Sequence, residues 1–287
     1  DSRQSRGLGD VYKRQEQKIS ITSRKSQTTR NNILGIKTKE NHQMVFIDTP
    51  GVHINASKVM NKVLNQSALG AIEDADLIIF MLQRNKINTL DELILERLRG
   101  IKTKKLCVIN KLDQVASKNS LLPVIEKLRS EYDFAEIIPV SAKTGKNINE
   151  LENMICQNLP ENNHLYDSET KFLAKESFMI SEIIREKIIR FLGEELPHET
   201  YVQLQKLEDK EKIINIDAEI IVARESQKGI VVGKNGAKLK KIGEKARIDL
   251  EKFFNKKVFL KTWVKTKKNW NNDSDFISSL GIGSLYD

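Results

Sequence analysis

The 287-residue sequence predicts two joined units, an α/β domain with a mainly parallel sheet followed by a smaller α+β domain. Three observations carry that expectation. Short apolar runs alternate with helix-length amphipathic patterns from about residue 33 to 158, which implies crossovers and a sheet covered on both faces. Polar motifs follow three of those runs, Asp48-Thr49-Pro50-Gly51, Asn110-Lys111-Leu112-Asp113 and Ser141-Ala142-Lys143, at the carboxyl ends where such sheets collect ligand groups. Positive charge concentrates late: residues 217–270 hold 15 Lys/Arg against 6 Asp/Glu, a net of +9 that equals the whole chain's.

Composition narrows the class. Hydrophobic content of 39% beside 30% charged residues fits a globular chain rather than a disordered one. No apolar run approaches the roughly 20 residues of a membrane helix. The two cysteines, Cys107 and Cys156, lie far apart in apolar runs and read as reduced core residues of a cytosolic protein. The four histidines show no metal-ligand spacing, so no zinc site is expected.

The chain begins oddly. Asp10-Val-Tyr-Lys-Arg-Gln15 reads as the translation of a transposon adaptor used in DNA library preparation, so residues 1–15 are expected to be foreign to the fold. Strands are then expected at 33–38 and 44–48 around a turn at Glu40-Asn41-His42, and at 77–82, 106–109 and 137–140. Helices are expected at 59–72, 90–98, 120–132 and 148–158. Pro160 and three asparagines mark 159–166 as a linker, and 171–192 reads as an amphipathic helix opening the second unit.

The motifs suggest guanine-nucleotide chemistry. In Asp48-Thr-Pro-Gly51 a carboxylate can hold magnesium while the glycine N–H meets a terminal phosphate, so the loop can sense γ-phosphate loss. The Asp113 carboxylate can accept from both N1–H and the exocyclic amine of guanine, a match adenine lacks. Asn110 can bond the base edge or brace nearby loops, and the Lys111 stem can cover the ring. Ser141-Ala142-Lys143 would bring a backbone N–H to the guanine O6. Upstream, Thr28 and Thr29 are switch candidates, with Thr29 favoured beside Asp48 as a magnesium ligand. A P-loop, Gly-x-x-x-x-Gly-Lys-Ser/Thr, is expected before Thr29, yet no such string occurs in these 287 residues. As it stands, the sequence is expected to bind GTP poorly and hydrolyse little.

In the second unit, Gly233-Lys234-Asn235-Gly236 sits between two helical patterns, with β-rich runs at 200–205 and 213–224 before it and 257–264 after it. Glycines at both ends let a polynucleotide backbone approach, and helix N-terminal N–H groups face its phosphates. That arrangement is the clamp of KH modules, which hold about four nucleotides of single strand. The surrounding basic charge predicts salt-sensitive binding to RNA rather than DNA. The RNA-contacting candidates are Lys228, Gly229, Gly233, Lys234, Asn235, Gly236, Lys238, Lys240 and Lys241.

Together these motifs resemble the Era family of bacterial GTPases, within the TrmE-Era-EngA type. The likeness runs from Lys18-Ile-Ser-Ile-Thr-Ser-Arg-Lys-Ser-Gln-Thr-Thr-Arg30 through the three motifs above. It continues through Glu225-Ser-Gln-Lys-Gly-Ile230, Gly233–Gly236, Ala246-Arg247 and Trp263-Val-Lys265. The resemblance implies a P-loop-NTPase-like G domain, here without its first strand and P-loop, followed by an α+β KH type II domain. Expected boundaries are residues 1–15 for the tail, 16–160 for the G domain, 161–170 for the linker and 171–280 for the KH domain. It implies GTP/GDP and Mg2+ as cofactors, with Asp48, Thr49, Pro50, Gly51, Val52, Asn110, Lys111, Leu112, Asp113, Ser141, Ala142 and Lys143 at the nucleotide. It further implies binding of 16S rRNA near its 3′ end during 30S ribosomal subunit assembly. A cytoplasmic monomer with some peripheral association with the inner membrane is expected. Val52 stands where several GTPases carry a water-orienting glutamine, so no general base is assigned; His53 beside it reads as incidental. The competing reading is an RNA-binding KH module whose G domain is degenerate and never cycles.

Overall fold

The computed structural model describes residues 30–52, 57–83, 86–115, 117–192 and 199–282. The expected tail at 1–15, Thr28, Thr29 and His53 lie outside them.

The first unit opens with a hairpin. β1 (Ile33–Lys39) pairs antiparallel with β2 (His42–Asp48), Lys39 opposite His42, so His42 starts the strand instead of sitting in the turn. Glu40 makes the turn with φ at 51°. After α1 (Val59–Glu73) come β3 (Leu77–Gln83), α2 (Thr89–Leu98), β4 (Lys104–Asn110), α3 (Leu122–Glu131), β5 (Glu136–Pro139) and α4 (Ile148–Asn158). β4 lies between β3 and β5 in a parallel sheet and is buried from Lys105 to Asn110, which is why it reads as an unbroken apolar run. The crossover helices have local start signals. Asn88 and Asp91 form a reciprocal capping box on α2, and Pro123 enters the first turn of α3.

Two expectations fail here. The single mainly parallel sheet is, among the described residues, two three-stranded sheets ordered β2-β1-β6 and β3-β4-β5, because no described strand joins β2 to β3. They nevertheless share a core. Ile33, Met44 and Phe46 from the hairpin pack with Leu106, Val108 and Ile138 from the parallel sheet under Ile148, Leu151 and Ile155 of α4. The helix expected over 171–192 begins only at Glu176, as α5 (Glu176–Phe191). Phe172–Leu173 is instead β6, which pairs antiparallel with Gly35 and Leu34, while the Lys171 carbonyl accepts from Ile36 N–H at 2.8 Å. The free edge of β1 offered backbone hydrogen bonds that outweighed the helical pattern of the first few residues.

The linker is irregular but pinned. Gln43 Oε1 accepts from the Leu165 and Tyr166 N–H groups at 2.8 and 2.9 Å, and Gln43 Nε2 donates to the Tyr166 carbonyl at 2.7 Å.

The second unit runs α5, β7 (Thr200–Asp209), β8 (Ile213–Val222), α6 (Glu225–Val232), α7 (Ala237–Phe254), β9 (Lys257–Thr266) and α8 (Ser274–Ser279). β8 is central, antiparallel to β7 and parallel to β9. Period-two alternation turns Ile214, Ile216, Ala218, Ile220 and Val222 to the helices. They meet Ile180, Ile184 and Ile188 of α5 and Ile242, Ala246 and Leu250 of α7, both spaced at i, i+4, i+8. At one end of the sheet's other face, Ile221 and Tyr201 pack with Trp270, Phe276 and Ile277 against Met60 and Leu64 of α1. That small cluster joins the two units.

Both cysteines are free. Cys107 is buried, and burial pushes its thiol up to about 12, so it is inert. No helix among the described residues is long and apolar enough to cross a membrane.

Candidate functional site

The carboxyl ends of β4 and β5 bring Asn110, Asp113, Ser141 and Ala142 together. Asn110, buried at the end of β4, accepts at its Oδ1 from Lys111 N–H at 2.7 Å and from Ala142 N–H at 3.1 Å. Of the two roles open to it, bracing is the one observed: it ties the loop after β4 to the loop after β5. Lys111 takes the left-handed conformation, φ 67°, which reverses the chain so that Leu112 N–H donates to the Val140 carbonyl at 3.0 Å. Asp113 then emerges exposed, yet its position is set: the fully buried Ser141 donates its hydroxyl to Asp113 Oδ1 at 2.6 Å and accepts from Thr144 N–H at 3.2 Å. An exposed carboxylate held by a buried hydroxyl is a prepared acceptor, because its orientation is fixed before any ligand arrives. Ala142 N–H is already engaged by Asn110, so in this arrangement it is not an open donor for a base oxygen.

At the end of β2, Asp48 and Thr49 are half-buried, Pro50 is buried, Gly51 is exposed and Val52 is half-buried. No cluster of three or more His, Cys, Asp or Glu with metal-ligand geometry occurs among the described residues. Asp48 is the last residue of β2, at the carboxyl end of the strand.

The glycine loop is built tightly. Gly233, Asn235 and Gly236 have φ values of 72, 52 and 77°, with Gly233 N–H donating to Gly229 O at 2.8 Å and Gly236 N–H to Gly233 O at 3.2 Å. The two glycines serve different ends. A Cβ on Gly233 would lie 2.7 Å from the Cβ of Lys238, so this glycine lets the loop close on the first turn of α7, whereas a Cβ on Gly236 would meet open space. Lys234, Asn235 and Lys240 are exposed, Gly229 is exposed with open space around it, and Lys228 and Lys238 are half-buried. Lys241 is also exposed, but its ammonium lies 5.3 Å from the centre of the Phe191 ring on α5. Ile230, 45% exposed one turn before the loop, supplies an apolar surface beside it that the charge pattern did not single out.

Comparison with known proteins agrees with both halves. A KH domain family model matches residues 195–271, and a 50S ribosome-binding GTPase family model matches residues 12–111. The GTPase Era of Coxiella burnetii is 45% identical over 266 residues, covering 93% of this chain and 90% of its own. This chain belongs to the GTPase Era family. The Haemophilus influenzae GTPase Era is 44% identical, covering 92% of this chain and 88% of its own. Two solved Era structures, each 31% identical, cover 98% of this chain and 97% of their own. One is Aquifex aeolicus Era bound to GDP·AlF4−, with a TM-score of 0.91. The other is Era in complex with MgGDPNP and nucleotides 1506–1542 of 16S ribosomal RNA, with a TM-score of 0.92.

Sequence reasoning missed the residues that join the two halves of this Era-family chain. Arg30 is 5% exposed; its Nη1 donates to the Thr200 carbonyl at 2.6 Å, and its guanidinium lies 6.0 Å from the centre of the Trp270 ring. Burial and the facing Arg185 pull Arg30 down to about 9, with Glu182 and Tyr201 acting in the opposite direction, so it stays cationic near neutrality. Asn31 Nδ2 donates to the Gly281 carbonyl at 2.9 Å, and Lys58 pairs with Glu199 at 2.7 Å. Glu199 also accepts from the Gln227 amide, and its carbonyl accepts from Trp270 Nε1 at 3.1 Å. Gln227 Oε1 in turn accepts from Ala223 and Arg224 N–H, fixing the start of α6. The available sequence signal was Trp270, an isolated large aromatic beyond the last strand; nothing local distinguishes Arg30 from a polar loop residue.

Proposed function

We propose that this chain is a guanine-nucleotide-binding, GTP-hydrolysing switch whose KH domain grips single-stranded RNA near the 3′ end of 16S rRNA during 30S subunit assembly. The observation that carries the reading is Asp113, an exposed carboxylate oriented by the buried Ser141 hydroxyl beside the Asn110 brace. Its partners would be 16S rRNA and the 30S subunit, not DNA, and it would act as a cytoplasmic monomer with some peripheral association with the inner membrane. The proposed division is a G domain at 16–160, a linker at 161–170 and a KH domain at 171–280.

The donor set fits a guanine nucleotide. Asp113 would accept from N1–H and the exocyclic amine of guanine, the Lys111 stem would cover the ring, and Asn110 would keep the two loops in register. Ser141, Ala142 and Lys143 would wall the base and Leu112 its edge. Asp48, with Thr29 and Thr28 as switch candidates, would hold Mg2+, and Thr49, Pro50, Gly51 and Val52 would face the terminal phosphate. Magnesium would supply charge neutralisation between the phosphates. Val52 has no group that could orient a water, so no general base is assigned.

Along the glycine loop, Gly229, Gly233 and Gly236 would let the RNA backbone approach. Lys228, Lys234, Asn235, Lys238, Lys240 and Lys241 would supply charge and hydrogen bonds to it.

Equilibrium binding of GDP and ADP in Mg2+ tests the nucleotide half. GDP is expected to bind weakly, without the phosphate contacts of a Gly-x-x-x-x-Gly-Lys-Ser/Thr string, but more tightly than ADP, and equal affinity for the two would overturn the reading. A second reading, a KH module with a non-cycling G domain, takes its support from the absence of a Gly-x-x-x-x-Gly-Lys-Ser/Thr string in these 287 residues. RNA binding with no preference for GDP over ADP would favour it.

A further inference from the structure

Two segments of the G domain reach the same dipeptide of the KH domain. Arg30 follows Thr29 directly in sequence and donates to the Thr200 carbonyl at 2.6 Å. Lys58, seven residues after Gly51 and just before α1, pairs with the Glu199 carboxylate at 2.7 Å. Glu199 passes that contact on: its other carboxylate oxygen accepts from Gln227, whose Oε1 accepts from the Ala223 and Arg224 N–H groups just before α6, and α6 is capped at its far end by Gly233. The Glu199 carbonyl holds Trp270 Nε1, and the indole face lies by Arg30. Burial makes these contacts discriminating. Arg30 and Trp270 are both nearly inaccessible, so a displacement of Arg30 would break its bond to Thr200 inside a desolvated site shared with Glu182 and Arg185, and the cheaper response is for the two domains to move together.

We propose that Glu199–Thr200 is the coupling point between nucleotide and RNA, with Arg30 and Lys58 as positioning residues that transmit the state of the G-domain loops to α6 and the glycine clamp. The proposal rests on the nucleotide and RNA reading above, and it adds the path by which one site senses the other. Neither residue is among those assigned to nucleotide or RNA; each acts through Glu199 or Thr200. Because linkage is reciprocal, the path must carry the effect in both directions.

The test measures four affinities on the full chain: Mg·GDPNP and Mg·GDP alone, and a single-stranded 16S 3′-end RNA in the presence of each. The same set is measured for Arg30→Met and Lys58→Ala. Lys58 is partly exposed, so its variant keeps the fold if the buried Arg30 variant does not. The wild-type chain is expected to bind RNA at least about fivefold more tightly with Mg·GDPNP than with Mg·GDP, within the usual range of allosteric coupling. In Lys58→Ala that ratio should fall to within about twofold of unity while both single-ligand affinities stay within about threefold of wild type, a split that general destabilisation would not produce. Retention of the full ratio in Lys58→Ala and in a folded Arg30→Met overturns the proposal. So does a ratio of one in wild type when both ligands bind. Failure of wild type to bind nucleotide or RNA alone removes the underlying functional reading, and the proposal with it.

Discussion

In the proposed function, Asp113 is the residue on which base selectivity turns. Asp113→Asn replaces a charged acceptor by an amide that presents a donor, and hydrogen bonds to charged groups are worth about 1.5–3 kcal/mol each. GDP affinity measured by calorimetry should therefore fall at least about tenfold, with the melting temperature unchanged because the side chain is exposed. Ser141→Ala should weaken GDP less, since it removes the orienting hydroxyl and leaves the carboxylate. Glu199 gives a pH signature. Burial pushes its carboxyl up, but hydrogen bonds from Lys58 and Gln227 and the positive charges of Lys58 and Arg224 outweigh that and hold it below the ordinary 4.5. A carboxyl lowered in the fold stabilises it above its unfolded value and loses that contribution as pH falls through the folded one. Glu199→Gln should thus lower urea stability at neutral pH, with the difference from wild type shrinking in acid; a constant difference across that range would contradict the assignment.

At the scale of elements, the glycine loop and the β6 segment show what local sequence conveys. The loop was legible because Gly-x-x-Gly has a conformational reason: Gly233 at φ 72°, ψ 176° occupies backbone space open essentially to glycine. The reason for each glycine was not legible. Gly233→Ala should cost about 1–3 kcal/mol, from backbone strain plus the contact with Lys238, whereas Gly236→Ala should cost about 1–2 kcal/mol from strain alone. Thermal melts that rank Gly236→Ala as the more damaging would contradict this assignment. The parallel strands were read correctly because β4 is buried on both faces and so shows a continuous apolar run. β6 was not. Its two residues carry a helix-compatible pattern, and what decides them is the edge of β1, more than 130 residues away in sequence, whose pairing no local pattern announces.

For the molecule as a whole, the two domains could be separated in the sequence by charge, linker composition and motif order, but their junction could not. Trp270 is fully buried between them, packing with Tyr201 and Phe276 and bonded to the Glu199 carbonyl. Removing a buried aromatic of this size costs about 3–5 kcal/mol. Trp270→Ala should destabilise the junction as well as the KH fold, and hydrogen exchange should rise in α1 as well as in the residues around 270. Exchange confined to the KH domain would mean that α1 does not depend on the junction. That Asn110, Asp113, Ser141 and Ala142 would meet was legible because each motif follows a strand; the Arg30 contacts were not, because they exist only once the two domains meet.

The claim that reaches furthest is that RNA is held at the glycine clamp. The most direct measurement is filter binding of a short single-stranded RNA from the 16S 3′ end to the full chain and to Gly236→Asp, at two salt concentrations. Gly236 is the informative position, because a side chain there meets open space and places a negative charge where phosphate would approach. Tight binding by the wild type, weakened by salt and lost in a folded Gly236→Asp, is the predicted result. Equal binding by both proteins would contradict it and would place the RNA elsewhere on the chain.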